Sequence, residues 1–463
     1  MDLITDQEII VGYLSDASNT HGQAEALLRP TSAQETAEIV KLCQKYSIPL
    51  TVTAQRSSTT GASVPHGGWL LSTEQMNRII STTEAEGGVI LGEYQDYVEH
   101  QGLLFPPDPT SRRECSLGAA IACNASGARS FRYGSIRPWV EAVEVVLPTG
   151  EIQIVDRKSK IPTEWPSIGW QEPPVKTAAG YYPGNNLLDM MIGQEGTLGI
   201  ITKAWLTVIH APTEVLGMIV FFPSVSACLQ FVDKARLGAE RPGQKASPES
   251  LNPRAIEYFD QHSMELIRAR VDNIPEAAQC GLFMEIEYDD EPPLEQWFEA
   301  LEKADALCDD IIAADDDESR NRLYTIRHAI PAGVNEIVIA NGMPKIGTDF
   351  SVPDQALRRI MEIYSEVKMR HVLFGHIGDN HLHLNLLPAS EQELIEARQL
   401  YRKLAHEALS LGGSVSAEHG IGKIKKSLLA DMVGTDALAA FRALKHQIDP
   451  NWILGRGNLF DMR

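Results

Sequence analysis

Residues 371–387, HVLFGHIGDNHLHLNLL, constrain the fold of this chain more than any other stretch. Strict alternation from His381 onward puts His381, His383, Asn385 and Leu387 on one face of a strand and Leu382, Leu384 and Leu386 on the other. One face is apolar and the other is built for polar work. With Asp379 and Asn380 as a two-residue turn, the segment reads as an antiparallel hairpin. That register opposes Gly378 to His381, Ile377 to Leu382 and His376 to His383. Opposed residues have Cβ atoms roughly 4.5–5.5 Å apart, close enough for two imidazoles to converge on one divalent ion at about 2.1 Å per bond. A hydrogen-bonded pair of core histidines is the commoner meaning of such spacing, and a metal site needs a third ligand.

The rest of the chain sets the frame for this hairpin. At 463 residues it is about three times the usual single-domain length of roughly 150, so two or three packed units are expected. A content of 43% hydrophobic and 22% charged residues is that of a globular protein and excludes general disorder. The excess of 62 acidic over 41 basic side chains, a formal charge of -21, repels phosphate backbones and anionic lipid alike and argues against a nucleic-acid partner. The start, MDLITDQEII, lacks the basic and apolar regions of a secretory signal. No run reaches the roughly 20 apolar residues of a membrane span, and the longest candidate is broken by Pro223. Six cysteines without a CxxC pair indicate neither a disulfide framework nor an iron–sulfur cluster, and a reducing cytoplasm is the natural compartment.

Residues 31–46 carry helical spacing behind a Thr or Ser cap, and IPLTVTA and WLLS read as strands on either side of the small, polar run RSSTTGASVPHGG. VEAVEVVLPTGEIQIV is a hairpin pattern, and GTLGIITKAWLTVI closes the first half. Beyond about Pro212, strands such as GMIVFF and CGLFMEIEY alternate with helical segments near 225–238, 294–312 and 355–368, which suggests a separate α+β unit. The acidic run ADDDES reads as a solvated loop or helix start. From about residue 389, two helical patterns flank the glycine-rich GGSVSAEHGIG.

Two runs, QRSSTTGAS and SLGAAIACNASGARSFRYGS, place small side chains where a backbone can closely approach a bulky anion with its N–H groups exposed. Either alone is an ordinary loop; together they ask for more. Taken in order with LLRPTSAQETAEIV, TTGASVPHGG, LLFPPDP, GQEGTLGIIT, FGHIGDNHLHLN, GGSVSAEHGIGKIKK and IDPNWILGRGNLF, they make the chain resemble the FAD-dependent oxidoreductases of the vanillyl-alcohol oxidase type. The likeness is to the branch of D-lactate dehydrogenase, the glycolate oxidase flavin subunit and D-2-hydroxyglutarate dehydrogenase. It extends over nearly the whole length.

The resemblance implies a two-domain α+β fold. An FAD-binding domain of two α+β subdomains covers 1–212, a substrate or cap domain with an antiparallel sheet and a metal site covers 213–395, and a helical segment, 396–463, returns to the FAD domain. It implies non-covalent FAD, with Arg56, Ser57, Ser58, Thr59, Thr60 and Gly61 around the pyrophosphate and Ser116, Gly118, Asn124, Gly127, Tyr133 and Gly134 in a second contacting segment. Pro107, Asp108, Glu195, Gly196 and Ile200 would line the isoalloxazine and adenine ends. Ala54, Gln55, Ser58, Ala119 and Ser126 stand where the family usually has glycine, so hydroxyl donors replace part of the backbone cradle.

The same resemblance supplies Glu418 as the third ligand beside His376 and His383, with Zn, Mn or Fe as candidate ions, and His419 as catalytic base. Arg327 matches a substrate-carboxylate arginine, and Asn385 completes the polar face of the strand. The implied reaction is oxidation of a small D-2-hydroxy acid such as D-lactate or glycolate. Electrons would pass to a quinone, a cytochrome or an iron–sulfur subunit. Where the dicarboxylate-specific branch has a lysine, this chain has Gly347, with Lys345 nearby, which disfavours D-2-hydroxyglutarate. The other readings are a flavin subunit of a larger glycolate oxidase and, last, a metal-dependent hydrolase. A homodimer and a peripheral seat at the membrane stay open.

Overall fold

The computed structural model describes residues 2–314 and 316–462, without the side chains of Asp317, Glu318 and Arg322. Its first half is organised by two sheets. Ser32 starts the helix Ala33–Tyr46 by accepting from Glu35 N, and Ser47, in the left-handed region at φ 53°, ends it. Ile39, Val40 and Cys43 of this helix pack on Leu28, Leu50 and Leu71. These belong to a parallel sheet ordered Ala26–Leu28, Trp69–Ser72, Leu50–Thr53. The expected hairpin, Val140–Val146 against Ile152–Asp156, forms. It belongs to an antiparallel sheet ordered Ile79–Ser81, Glu84–Glu86, Ile200–Leu206, Val140–Val146, Ile152–Asp156.

The second half is a large antiparallel sheet ordered Ile312–Ala314, Glu214–Phe222, Cys280–Tyr288, Pro253–Phe259, His371–His376, His381–Leu386, Ile346–Gly347, with Phe350–Ser351 also paired to His381–Leu386. Alternate residues of its central strands enter different cores. Val220 and Phe222 pack with Phe231 and Trp297 from the helices Val225–Arg236 and Leu294–Lys303. Ile219 and Phe221 pack with Met264, Ile267, Leu323 and Ile330 from Gln261–Arg268 and Asp317–Asn341. Covering on both faces is why these strands read as continuous apolar runs rather than alternating ones. The acidic run places Ala314 at the end of a strand and Asp316 as cap of the helix Asp317–Asn341; Asp315 lies outside the described residues.

The chain then returns. Ile453 and Leu454 join the core of the first sheet, and Leu50 N donates to Ile453 O at 2.7 Å. Lys445, buried on the helix Lys426–Ile448, donates to Asp449 Oδ2 (2.6 Å), Leu454 O (3.0 Å) and Thr197 O (2.5 Å), fixing that return. Among the described residues, no helix is long and apolar enough to cross a membrane. The architecture is α+β, as expected.

The histidine hairpin corrects one expectation. Its register pairs His376 with His381, Gly375 with Leu382 and Phe374 with His383, so His376 does not oppose His383. A two-residue turn of the tightest type needs positive φ at both central residues. Here Asn380 has it (φ 54°) and Asp379 does not. The connection instead widens into a 3-10 turn, Ile377–Asp379. Asn380 is pinned from outside, accepting from Arg236 Nη1 (2.6 Å) and donating to Asp354 Oδ1 (2.8 Å). Because the shift is two residues, every side chain keeps its face.

Candidate active site

The strand Leu50–Thr53 delivers the first small-residue run. Arg56 (φ 58°) and Gly61 (φ 73°) are left-handed, and among the described residues the N–H groups of Arg56, Ser57, Ser58, Thr59 and Gly61 meet no protein acceptor. Ser58 Oγ accepts from Thr60 N (3.2 Å) and Ala62 N (3.4 Å), so one hydroxyl shapes the loop where a glycine was expected. Lys423 Nζ clamps it from the other half through Gly61 O (3.2 Å) and Ala62 O (3.3 Å). A row of free N–H groups in such a turn is an anion nest.

In the second run, Ser116 caps the helix Leu117–Ala122 by accepting from Ala119 N (3.3 Å). A Cβ on Gly118 would lie 2.8 Å from Gly87 O, and one on Gly127 would lie 1.7 Å from Asp108 O, so both positions admit only glycine. Gly134 is left-handed at φ 73°. Asn124 donates to Thr177 O (3.1 Å) but leaves its Oδ1 buried without a partner, as Thr53 leaves its Oγ1. The free N–H row, the glycine cradle and the orphaned oxygens fit a large phosphate-bearing cofactor such as FAD.

Several other expected cofactor residues have protein partners. Gln95 donates to Pro107 O at 2.7 Å, and Asp108 pairs with Arg112 (3.3 Å). Tyr133 Oη donates to Glu287 at 2.7 Å, and Ile200 is buried in the first core. Gly196 is left-handed (φ 72°). Glu195 accepts from Ile421 N (2.7 Å) and Gly422 N (2.6 Å), tying down the end of the SAEHG loop. Burial pushes its carboxyl up to about 7.

His376, His381, His383 and Glu418 each offer a ligand atom, all within 4.8 Å of one another. His376 Nε2 lies 3.3 Å and His381 Nδ1 3.7 Å from Glu418 Oε1. His383 Nδ1 meets Thr348 O at 3.0 Å. Burial disfavours a charged His376, but Glu418 and Glu257 outweigh it and push the ring up to about 9. Burial, then His381 and His419, hold His383 well below the usual histidine range. The carboxylate and imidazoles suit a divalent cation.

Lys176 and Asp349, which the sequence did not single out, and Ser126, expected only as a replaced glycine, complete the site. Lys176 Nζ contacts Glu418 Oε1 and donates to Ser130 Oγ at 2.7 Å; its loop carries no recognisable pattern. Ser126 Oγ also donates to Glu418, at 3.4 Å, joining the second small-residue run to the hairpin. Asp349, 0% exposed, accepts from Lys425 Nζ (2.6 Å), Ser416 Oγ (2.8 Å), Glu418 N (3.1 Å) and His419 N (3.1 Å). Burial opposes its charge, yet His419 and Lys425 hold its carboxyl well below the usual range. Asp349 stands in GTDFSVP, two residues after Gly347, and the acidic residue of that strand is the signal for it.

His419 stacks on His383, ring centroids 5.5 Å apart, with its Nδ1 3.5 Å from Asp349 Oδ2. Burial lowers its pKa, which favours the neutral, proton-accepting ring. Asn385 donates to His383 O (3.1 Å) and accepts from Lys345 Nζ (2.9 Å). Arg327 is engaged with Glu257 through Nε and Nη2, the latter at 2.6 Å, and Glu257 in turn lies 3.1 Å from His376 Nδ1. Arg129, 8% exposed, leaves Nε and Nη1 buried without a hydrogen bond, 3.6 Å from Asp108 and 3.9 Å from Glu285.

Comparison with known proteins gives the family. Residues 24–156 match the FAD binding domain family, and residues 212–459 match the C-terminal domain of the FAD linked oxidases. The chain is 29% identical to a D-lactate dehydrogenase of Anaerostipes hadrus, covering 99% of this chain and 94% of that one. It is 25% identical to the glycolate oxidase subunit GlcD of Bacillus subtilis (97% and 92%) and 28% identical to a D-2-hydroxyglutarate dehydrogenase of Xanthomonas citri pv. viticola (94% and 89%). Its fold is that of alkyldihydroxyacetonephosphate synthase, with a TM-score of 0.68 at 17% identity over 98% of this chain and 81% of that one. With the C-terminal match alone covering more than half of its length, on top of the FAD-binding match, the chain belongs to the FAD-linked oxidases.

Proposed function

We propose that the protein is an FAD-dependent dehydrogenase that oxidises a small D-2-hydroxy acid, of the D-lactate or glycolate type, to the 2-oxo acid. One observation carries the reading: His419, backed by Asp349, stands beside the His376, His383 and Glu418 cluster, and Ser126 joins that cluster to the glycine cradle of the second run. FAD, when bound, supplies the acceptor for the hydride from the substrate Cα. A divalent ion held by His376, His383 and Glu418 would polarise the hydroxyl oxygen as a Lewis acid.

The chain's own residues do the rest. Asp349 faces Nδ1 of His419, which leaves Nε2 to take the hydroxyl proton as the hydride departs. A neutral His419 is ready for this, and Lys425 keeps Asp349 ionised behind it. Arg327 brings positive charge to the substrate carboxylate, with Glu257 fixing its fork, and Arg129 has donors to spare for the same anion. Asn385 lies on the polar face of the histidine strand, and Lys345, just before the strand paired to it, donates to its Oδ1 at 2.9 Å.

The test is an anaerobic titration of the FAD-loaded protein, following the flavin's visible band. D-lactate or glycolate should bleach it faster than D-2-hydroxyglutarate, and prior chelation should slow the bleaching. Faster bleaching by D-2-hydroxyglutarate would move the reading to a dicarboxylate substrate. No bleaching by any 2-hydroxy acid would end it.

A further inference from the structure

We infer that His381 is a ligand of the same cation as His376, His383 and Glu418, so that the chain supplies three imidazoles and one carboxylate. The inference rests on reading this cluster as a divalent-metal site. His381 is 0% exposed, and its Nδ1 makes no hydrogen bond. Nδ1 is 3.7 Å from Glu418 Oε1, and Nε2 is 2.9 Å from Asp349 Oδ1. A buried polar atom left unsatisfied costs roughly 1–3 kcal/mol, so Nδ1, on the Glu418 side of the ring, asks for a partner.

A cation answers that need. Ligand atoms at about 2.1 Å from one ion lie roughly 3.0–3.4 Å apart. His376 Nε2 already meets that spacing to Glu418 at 3.3 Å, and His381 Nδ1 misses it by a few tenths of an ångström at 3.7 Å. The His381 and His383 rings are 4.4 Å apart between centroids. Each imidazole also has an acceptor behind it: Glu257 for His376, Asp349 for His381 and Thr348 O for His383. Backing of that kind sets the tautomer of a metal-bound histidine and presents its other nitrogen to the ion. Lys176, now against Glu418, has Ser130 Oγ (2.7 Å) and Asp379 (3.5 Å) to turn to when a divalent charge enters.

Four protein ligands change what the ion can do. A tetrahedral Zn²⁺ would be saturated by the chain alone. The hydroxyl and carboxylate oxygens of a 2-hydroxy acid can join only on an ion that accepts six ligands, as Mn²⁺, Fe²⁺ and Co²⁺ do.

The experiment uses the full-length protein loaded with Co²⁺, counting hyperfine-shifted, exchangeable imidazole N–H resonances by proton NMR. Three are expected, falling to two in His381→Asn. Calorimetry should show that this variant binds Co²⁺ more weakly by more than the roughly 10–100-fold typical of losing a backing acceptor. Two resonances in the wild-type protein, with Co²⁺ affinity lost in His383→Asn and Glu418→Gln, would overturn the role of His381 and leave the three-ligand site standing. No shifted resonance and no Co²⁺ uptake in the wild-type protein would remove the metal reading itself. The wild-type count decides the matter even if His381→Asn folds poorly.

Discussion

Asp349→Asn is the substitution from which the structure makes its firmest demand. The carboxylate is wholly buried, 2.6 Å from the ammonium of Lys425, and it accepts the backbone N–H groups of Glu418 and His419. At an effective dielectric of about 20, the Coulomb attraction of two unit charges at that separation is about 6 kcal/mol. Desolvation offsets much of this, and removing one partner of a buried pair costs about 3–5 kcal/mol because the other charge is left uncompensated. Asp349→Asn is therefore expected to lose about 3–5 kcal/mol of unfolding free energy in urea titrations followed by tryptophan fluorescence. Lys425→Met should lose less, since the backbone donors remain. The double variant should fall short of the sum by about 0.5–3 kcal/mol, the coupling of groups in contact. Asp349→Asn should also slow flavin reduction, because His419 loses the group facing its Nδ1. Additivity within about 0.5 kcal/mol, with an unchanged reduction rate, would refute the view of Asp349 as the anion that holds this loop.

Other outcomes follow from the same geometry. Glu195 has a carboxyl raised from 4.5 to about 7, so the folded state holds its proton the more tightly. Its contribution is fully present below about pH 4.5 and is lost as pH rises to about 7, at about 1.4 kcal/mol per pH unit. Glu195→Gln should flatten that part of the stability–pH curve, and an identical slope would count against it. Gly127→Ala forces a Cβ to 1.7 Å from Asp108 O, so the variant should lose bound FAD and at least about 1–3 kcal/mol of stability, read by cofactor content after gel filtration and by urea titration. Lys176→Met removes an ammonium that competes for Glu418 and should tighten divalent-ion binding by about tenfold or more in calorimetry. Unchanged affinity would mean that Lys176 and the ion do not share that oxygen.

Local patterns in the sequence carried much of this structure. The cap before Ala33, the Pro-Thr-Gly hairpin and the imidazole face of 381–387 are period and turn signals, and all three form. The register of the histidine hairpin was not legible, because Arg236 and Asp354 grip Asn380 from 144 and 26 residues away. His376, His383 and Glu418 do converge. Lys176 comes from a loop without pattern, and Asp349 acts only once the chain has folded back on it. Arg327 reads as a lone cation in sequence; its partner Glu257, 70 residues away, is visible only in three dimensions.

The central claim is that His419 takes the hydroxyl proton of a 2-hydroxy acid held against FAD. It is tested most directly by rapid anaerobic mixing of FAD-loaded wild-type and His419→Gln protein with the substrate that bleaches the flavin. The variant should retain its FAD and reduce it about 10²–10⁴-fold more slowly. Equal rates in the two proteins would contradict the claim.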